Sequence, residues 1–99
     1  MNHNQDIESL KEAIENSPDN LPLRIMLANK YLHFGRLEDS ESEFQIVLNY
    51  DSNHLKAKEG LAEIYFRRAR YSAVIVICEE LMNRNMANER IMVLCAKAL

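Results

Sequence analysis

The chain has 99 residues, of which 47% are hydrophobic and 27% are charged, values typical of a soluble globular protein of about one domain. The net charge is −3 and the basic residues are scattered, which argues against binding to nucleic acid or to an anionic membrane surface. Two glycines and two prolines are too few for the turns of an all-β fold, so the composition favours helix.

The beginning of the chain, MNHNQDIESLKEA, has neither a basic start nor an apolar stretch, so no secretory signal is predicted. No apolar run reaches the roughly 20 residues that a membrane-spanning helix needs. We therefore expect a cytoplasmic protein that does not contact a membrane. Cys78 and Cys95 are too few for a zinc framework, and we expect reduced thiols that fill apolar space.

Apolar residues recur at spacings of three and four, which is the period of a helix with one face toward a core. Taken in chain order, this spacing predicts helices over about 4–16, 21–34, 38–50, 55–68, 72–84 and 88–98. The loops SPDNLP and DSNH carry turn and N-cap residues, and NRNMAN is a weaker third copy. Gly35 suits the residue that follows the end of the second helix.

The fifth segment, YSAVIVICEEL from Tyr71 to Leu81, has the composition of a buried strand. Its apolar residues nevertheless keep the spacing of the segment 38–50, with Cys78 at the position of Phe44, and that earlier segment has a plain helical pattern. We therefore predict that Tyr71 to Leu81 is a helix with an unusually apolar circumference.

The sequence contains an internal repeat: when it is shifted so that Leu27 aligns with Leu61, apolar residues align with apolar residues along the chain. We call the helices that begin near 21, 55 and 88 first-type helices, and those that begin near 4, 38 and 72 second-type helices. In the first type, the aligned residues are Leu27, Leu61 and Cys95; Ala28, Ala62 and Ala96; and Tyr31, Tyr65 and Leu99. In the second type they are Leu10, Phe44 and Cys78; Ala13, Val47 and Leu81; and Ile14, Leu48 and Met82.

A helix–turn–helix unit with this length and spacing resembles the tetratricopeptide repeat (TPR). The family pattern W-x2-L-G-x2-Y…A-x3-F is met in RIMLANKYLHFGRLEDSESEF by Leu27, Ala28 for glycine, Tyr31, Ser40 for alanine and Phe44. The next copy departs from the pattern, with Val74 in place of the small residue and Cys78 in place of the aromatic one.

This resemblance implies an all-α fold, an antiparallel helix-pair solenoid or TPR-like superhelix of about six helices. It divides the single domain 1–99 into half a repeat at about 4–20, repeats at 21–54 and 55–88, and a final helix at 89–99.

By the same resemblance, the first-type helices line a concave groove that binds a peptide or helix of a partner protein, in a non-catalytic scaffold or adaptor. The implied groove residues are Ile25, Asn29, Leu32, His33, Lys56, Glu59, Glu63, Phe66, Arg67, Arg90, Val93 and Lys97. The two-carboxylate clamp that some members use for chaperone tails is not expected. Ile25, Gly60 and Leu94 stand where it needs lysine, asparagine and arginine.

The apolar character of the last two helices supports an alternative hypothesis, homo-oligomerisation, for example as a homodimer. The residues concerned are Val76, Ile77, Met92, Leu94 and Leu99. A further alternative is that the chain belongs to a longer TPR array whose other repeats cover these side chains.

Enzymatic chemistry finds no support in the sequence. It contains no glycine-rich phosphate loop, no H-E-x-x-H motif and no cysteine and histidine in a plausible nucleophile context. His3, His33 and His54 lie at unrelated positions, so we expect neither a metal site nor a cofactor.

Overall fold

The chain, seen in a computed structural model that describes residues 3–99, forms six α-helices, and no strand occurs among those residues. The helices are α1 (His3–Asn16), α2 (Leu21–His33), α3 (Leu37–Tyr50), α4 (Leu55–Arg67), α5 (Tyr71–Asn83) and α6 (Glu89–Ala98). The all-α prediction is confirmed, and every predicted helix boundary lies within one residue of the observed one. The apolar segment that begins at Tyr71 is helix α5.

Each first-type helix begins at a side chain that caps its free backbone N–H groups, and the three caps stand at equivalent positions of the repeat. The side-chain oxygens of Asn20 and Asn88 accept hydrogen bonds from the N–H three residues later, at 3.2 and 3.0 Å. The Nδ1 atom of His54 does the same for α4, at 3.3 Å. These bonds satisfy donors that have no partner inside the helix, so they fix where α2, α4 and α6 begin.

The turn from a first-type to a second-type helix needs one residue with a left-handed backbone. Gly35 has φ 77° after α2, and the N–H of the next residue donates to the carbonyl oxygen of Tyr31 at 2.8 Å. Ala69 stands at the same position after α4 with φ 57°, and the following N–H donates to the carbonyl oxygen of Tyr65 at 2.8 Å. Both turns are therefore closed by the same backbone hydrogen bond.

The crossing of α2 and α3 is built on small residues. The hydroxyl of Ser40 donates to the carbonyl oxygen of Ala28 at 2.8 Å, and both residues are fully buried. Around them lies a core formed by α2, α3 and α4, whose buried members include Phe44, Val47 and Leu61. A second core lies between α4, α5 and α6, and a third between α1 and α2.

The curvature of the molecule follows from which helices approach one another. Among the described residues, α2 contacts α4 and α4 contacts α6, whereas α1, α3 and α5 contact only the first-type helices beside them. The first-type helices are thus packed side by side on the inner, concave side, and the second-type helices spread apart on the outer side. This is the geometry of a helix-pair solenoid, with principal extents of 38 × 24 × 19 Å.

Candidate functional site

The concave side carries two open depressions. The first depression, with a cavity volume of about 380 Å³, lies along α2 and is lined by Met26, Asn29, Lys30 and His33. The second depression, of about 460 Å³, lies between α4 and α6 and is lined by Glu63, Glu89, Arg90, Val93, Leu94 and Lys97. Two first-type helices contribute to the second depression, so it depends on the tertiary packing of the solenoid.

The residues implied to line the groove fall into three classes of exposure. Exposed are Asn29, His33, Lys56, Arg67, Arg90, Val93 and Lys97, half-buried are Glu63 and Phe66, and buried are Ile25, Leu32 and Glu59. Ile25 and Leu32 belong to the core between α2, α3 and α4. The prediction that Ile25 and Leu32 contact a partner is therefore corrected, because side chains of α3 and α4 already cover them.

Buried Glu59 acts as a structural link between α4 and α6. Its carboxylate accepts a hydrogen bond from the side-chain amide of Asn88, and its other oxygen lies 3.5 Å from a guanidinium nitrogen of Arg90. Asn88 also caps α6, so the cap and the acid hold the start of this helix against α4. The contact positions Arg90 at the edge of the second depression, where half of its side chain remains exposed.

Arg67 also has an internal role. One guanidinium nitrogen donates to the carbonyl oxygen of Leu32 at 3.0 Å, and Nε donates to Glu63 at 3.2 Å. A cation at the carboxyl end of a helix is favourable because the last carbonyl groups carry partial negative charge. Arg67 therefore joins the end of α2 to α4, and replacing it would disturb the groove as well as any ligand contact.

Sequence reasoning missed Met26 and Lys30, which line the first depression together with two predicted residues. The equivalent residues of the next repeat, Gly60 and Ile64, are buried against the neighbouring helix pair. Met26 and Lys30 remain open because α2 has no first-type helix before it in the described chain. The repeat register could have predicted this exposure, because the helix before α2 in the sequence, α1, is of the second type and not the first.

The five residues proposed for self-association do not form one surface. Val76, on the outer side of α5, is 63% exposed, while Met92 on α6 and Leu99 just after α6 are 58% and 86% exposed. Ile77 is half-buried against two cores, and Leu94 is buried between helices. Ile77 and Leu94 are therefore removed from the predicted surface, because their side chains already pack inside this chain.

The groups with shifted pKa values lie at contacts between helices. A hydrogen bond from Arg68 lowers the pKa of Glu41, and one from Lys58 lowers that of Glu80. Burial raises the pKa of the Cys78 thiol to about 11, with Cys95 beside it. These groups connect α3 to the turn after α4, α4 to α5, and α5 to α6, and they are not among the residues that line the two depressions.

Within the part of the chain that the structure describes, no three His, Cys, Asp or Glu side chains are arranged to hold a metal ion. None of the helices in residues 3–99 is both long and apolar enough to cross a membrane.

Comparison with known proteins gives two findings. The sequence model of the family described as "Tetratricopeptide repeat" matches residues 7–64, more than half of the chain. The chain is also similar to "Tetratricopeptide repeat protein 21A" of Mus musculus, with 28% identity over 78 residues, which is 79% of this chain. It spans only 6% of that protein's length.

Proposed function

The chain belongs to the tetratricopeptide repeat family, and we propose that it binds an extended or helical segment of a partner protein on its concave side. Repeats of this family generally mediate protein–protein interaction and are typically non-catalytic scaffolds. The observation that carries the proposal is the second depression, which two first-type helices form and which combines an exposed apolar side chain with charged ones.

The chemistry of the second depression indicates what kind of segment would fit. Val93 offers an apolar contact, and the carboxylates of Glu63 and Glu89 and the cations of Arg90 and Lys97 line the same depression. A ligand segment with one apolar anchor and charges of both signs would complement this surface. Charges at the edge of an interface contribute more to specificity and association rate than to affinity.

We further propose that the chain is an adaptor without catalysis of its own and that it resides in the cytoplasm. The positions of the perturbed groups support the first point, because these groups join helices outside the two depressions. The two free thiols, Cys78 and Cys95, support the second, since reducing compartments keep cysteines in this form.

A matched pair of substitutions tests the binding proposal. Peptides that bind the chain would be selected from a displayed library, and their affinity measured by calorimetry for the native chain, Val93→Glu and Val76→Glu. Both valines are exposed on helices, at 44% and 63%, but Val93 lines the second depression and Val76 lies on the outer side. We expect Val93→Glu to weaken binding about tenfold or more, equivalent to about 1.4 kcal/mol, because it puts a carboxylate on the apolar anchor site.

The control, Val76→Glu, is expected to leave the affinity unchanged, and circular dichroism would show that both variants keep their helix content. Equal losses for the two variants, or a loss for Val76→Glu alone, would mean that the concave side is not the binding surface. Arg67 is a poor choice for this test, since it also bonds the carbonyl oxygen of Leu32.

A further inference from the structure

Both cysteines of the chain stand at one kind of helix contact, where a second-type helix packs against the first-type helix that follows it. The repeat register places three pairs of side chains at this contact. They are Leu10 with Leu27, Phe44 with Leu61, and Cys78 with Cys95. Each pair belongs to one of the three cores. The cysteine pair lies between α5 and α6, so its contact requires no helix beyond these two.

The two thiols meet inside the core between α4, α5 and α6. Cys78 is fully buried, and its Sγ donates a weak hydrogen bond to the carbonyl oxygen of Ile91 at 3.6 Å. In an α-helix that oxygen also accepts from the N–H four residues later, which is the N–H of Cys95. The side chain of Cys95 packs against the same core and lies within hydrogen-bonding reach of the Cys78 thiol. The two sulfur atoms are therefore neighbours across the contact of α5 with α6.

We propose that Cys78 and Cys95 form an oxidative modification site, at which hydrogen peroxide converts the two neighbouring thiols to a disulfide that fixes α6 to α5. The sequence contains no other cysteine, and both thiols are free in the structure. The reduced pair is the resting form, in which the thiols fill apolar space like the residues at the equivalent positions. In a reducing compartment a disulfide of this kind is transient and serves as a redox signal.

The surroundings of the two thiols set the order of the reaction. Burial raises the pKa of the Cys78 thiol to about 11, so this thiol stays protonated and has no access to solvent. Cys95 is only half-buried, so its thiolate is the group that attacks an oxygen atom of the peroxide. The O–O bond breaks, the departing hydroxide takes up a proton to form water, and Cys95 carries a sulfenic acid.

Cys78 then closes the disulfide from inside the core. Its sulfur attacks the sulfur of the Cys95 sulfenic acid, the S–O bond breaks, and the hydroxide that leaves takes the proton of the Cys78 thiol to form a second water molecule. The two thiols lose two electrons and two protons, and one hydrogen peroxide is reduced to two water molecules. A dithiol reverses the change by thiol–disulfide exchange.

The disulfide acts on the helix that forms one side of the second depression, since α6 contributes Arg90, Val93 and Lys97. In the reduced chain, the polar contacts of Glu59 hold the start of α6 to α4, and only non-covalent packing holds its later part to α5. A disulfide adds a covalent link there and closes a loop over residues 78–95, which lowers the entropy of the unfolded chain. The oxidised chain therefore resists unfolding better than the reduced one.

Mass spectrometry tests the chemistry. The reduced chain, diluted to favour reaction within one molecule, is treated with hydrogen peroxide, then unfolded and alkylated. We expect neither cysteine to take up an alkyl group, and trypsin to release the peptides 71–84 and 91–97 joined by a bond that dithiothreitol breaks. Peroxide also oxidises exposed methionines such as Met82 and Met92, but dithiothreitol does not reverse that change, so only the reversible one is counted.

Thermal unfolding followed by circular dichroism tests the effect on stability. We expect the Tm of the oxidised native chain to exceed that of the reduced chain by roughly 5–15 °C, because a disulfide closing a loop of this length stabilises a small domain. The matched control is Cys95→Ser, which removes one sulfur at a half-buried site, and Cys78→Ala is a second control. In both variants peroxide should cause no change in Tm that dithiothreitol reverses.

Three results would overturn the proposal. One is a native chain whose two cysteines both still react with the alkylating agent after peroxide treatment. A second is a disulfide found only between two copies of the chain, seen as a doubled mass that dithiothreitol returns to the single one. The third is a chain with the internal disulfide whose Tm equals or falls below that of the reduced chain, because the bond would then strain the contact of α5 with α6.

Discussion

At the scale of single residues, the turn after α4 shows a local conflict between sequence and backbone that the equivalent turn after α2 avoids. The left-handed conformation costs an L-residue with a Cβ atom roughly 1–2 kcal/mol more than glycine. Gly35 avoids this cost at φ 77°, whereas Ala69 adopts φ 57° in the equivalent turn. A Cβ atom at Gly35 would meet no other atom within 4 Å, so the cost there is confined to the backbone.

We predict that Ala69→Gly stabilises the chain. The relief of backbone strain exceeds the extra flexibility that glycine gives the unfolded chain, for a net gain of about 0.5–1 kcal/mol in the free energy of unfolding. Urea unfolding followed by circular dichroism measures the difference. The reciprocal substitution Gly35→Ala should lower the free energy of unfolding by a similar amount, and a loss of stability in Ala69→Gly would contradict this account of the turn.

Residue roles that depend on neighbouring helices could not be predicted from the sequence. The position of Gly35 was predictable, because a glycine after a helical pattern is a local signal. The hydrogen bond from Arg67 to the carbonyl oxygen of Leu32 joins two residues that are distant in the chain, so no local sequence pattern predicts it. The three N-caps could be predicted only in part. Asn20 and Asn88 are a common type of cap and stand at equivalent positions of the repeat, whereas the histidine cap, His54, is unusual.

At the scale of helices, packing between neighbours is set by matched side-chain volumes. The ring of Phe44 on α3 fills the place where a Cβ atom of Gly60 on α4 would stand, 2.2 Å from its nearest ring carbon. In the same register the pair is Leu10 with Met26 at one end of the chain and Cys78 with Leu94 at the other. A smaller residue on the second-type helix thus accompanies a larger one on the next first-type helix.

We predict that Gly60→Ala destabilises the chain, although the same change in an open helix stabilises it by up to about 1 kcal/mol. The added methyl group must displace the fully buried ring of Phe44, and overpacking of this kind costs about 1–3 kcal/mol. The free energy of unfolding in urea measures the effect.

A double-mutant cycle separates packing from helix propensity in this prediction. Phe44→Leu removes the obstructing ring atoms, so Gly60→Ala should cost clearly less in the Phe44→Leu background than in the native one. A Gly60→Ala chain more stable than the native protein would show that the ring moves aside freely, against the account of matched volumes.

The helices themselves were predictable because their order rests on a repeated pattern of apolar residues and caps. The apolar segment from Tyr71 is a helix even though its composition resembles a strand, since its residues keep the helical register of α3. The resemblance to the repeat family implies that the side chains of Ile25 and Leu32 line the groove, but the structure buries them. Their burial depends on how closely α3 and α4 approach α2, and a helix pattern does not contain that distance.

At the scale of the whole molecule, the stacking of the helices explains the concave surface. The first-type helices pack side by side, so their exposed side chains converge on the inner side. The inner surface is available to a partner protein.

The most direct test of the central claim is to map a bound peptide onto the helices by backbone amide chemical shifts in the isotopically labelled chain. The peptide would be one selected for binding to the native protein. We predict that the shifted amides lie in α2, α4 and α6, strongest around Asn29, Glu63 and Val93, with α1, α3 and α5 little changed. Shifts concentrated in α3 and α5 would contradict the claim, because they would place the binding surface on the outer side of the solenoid.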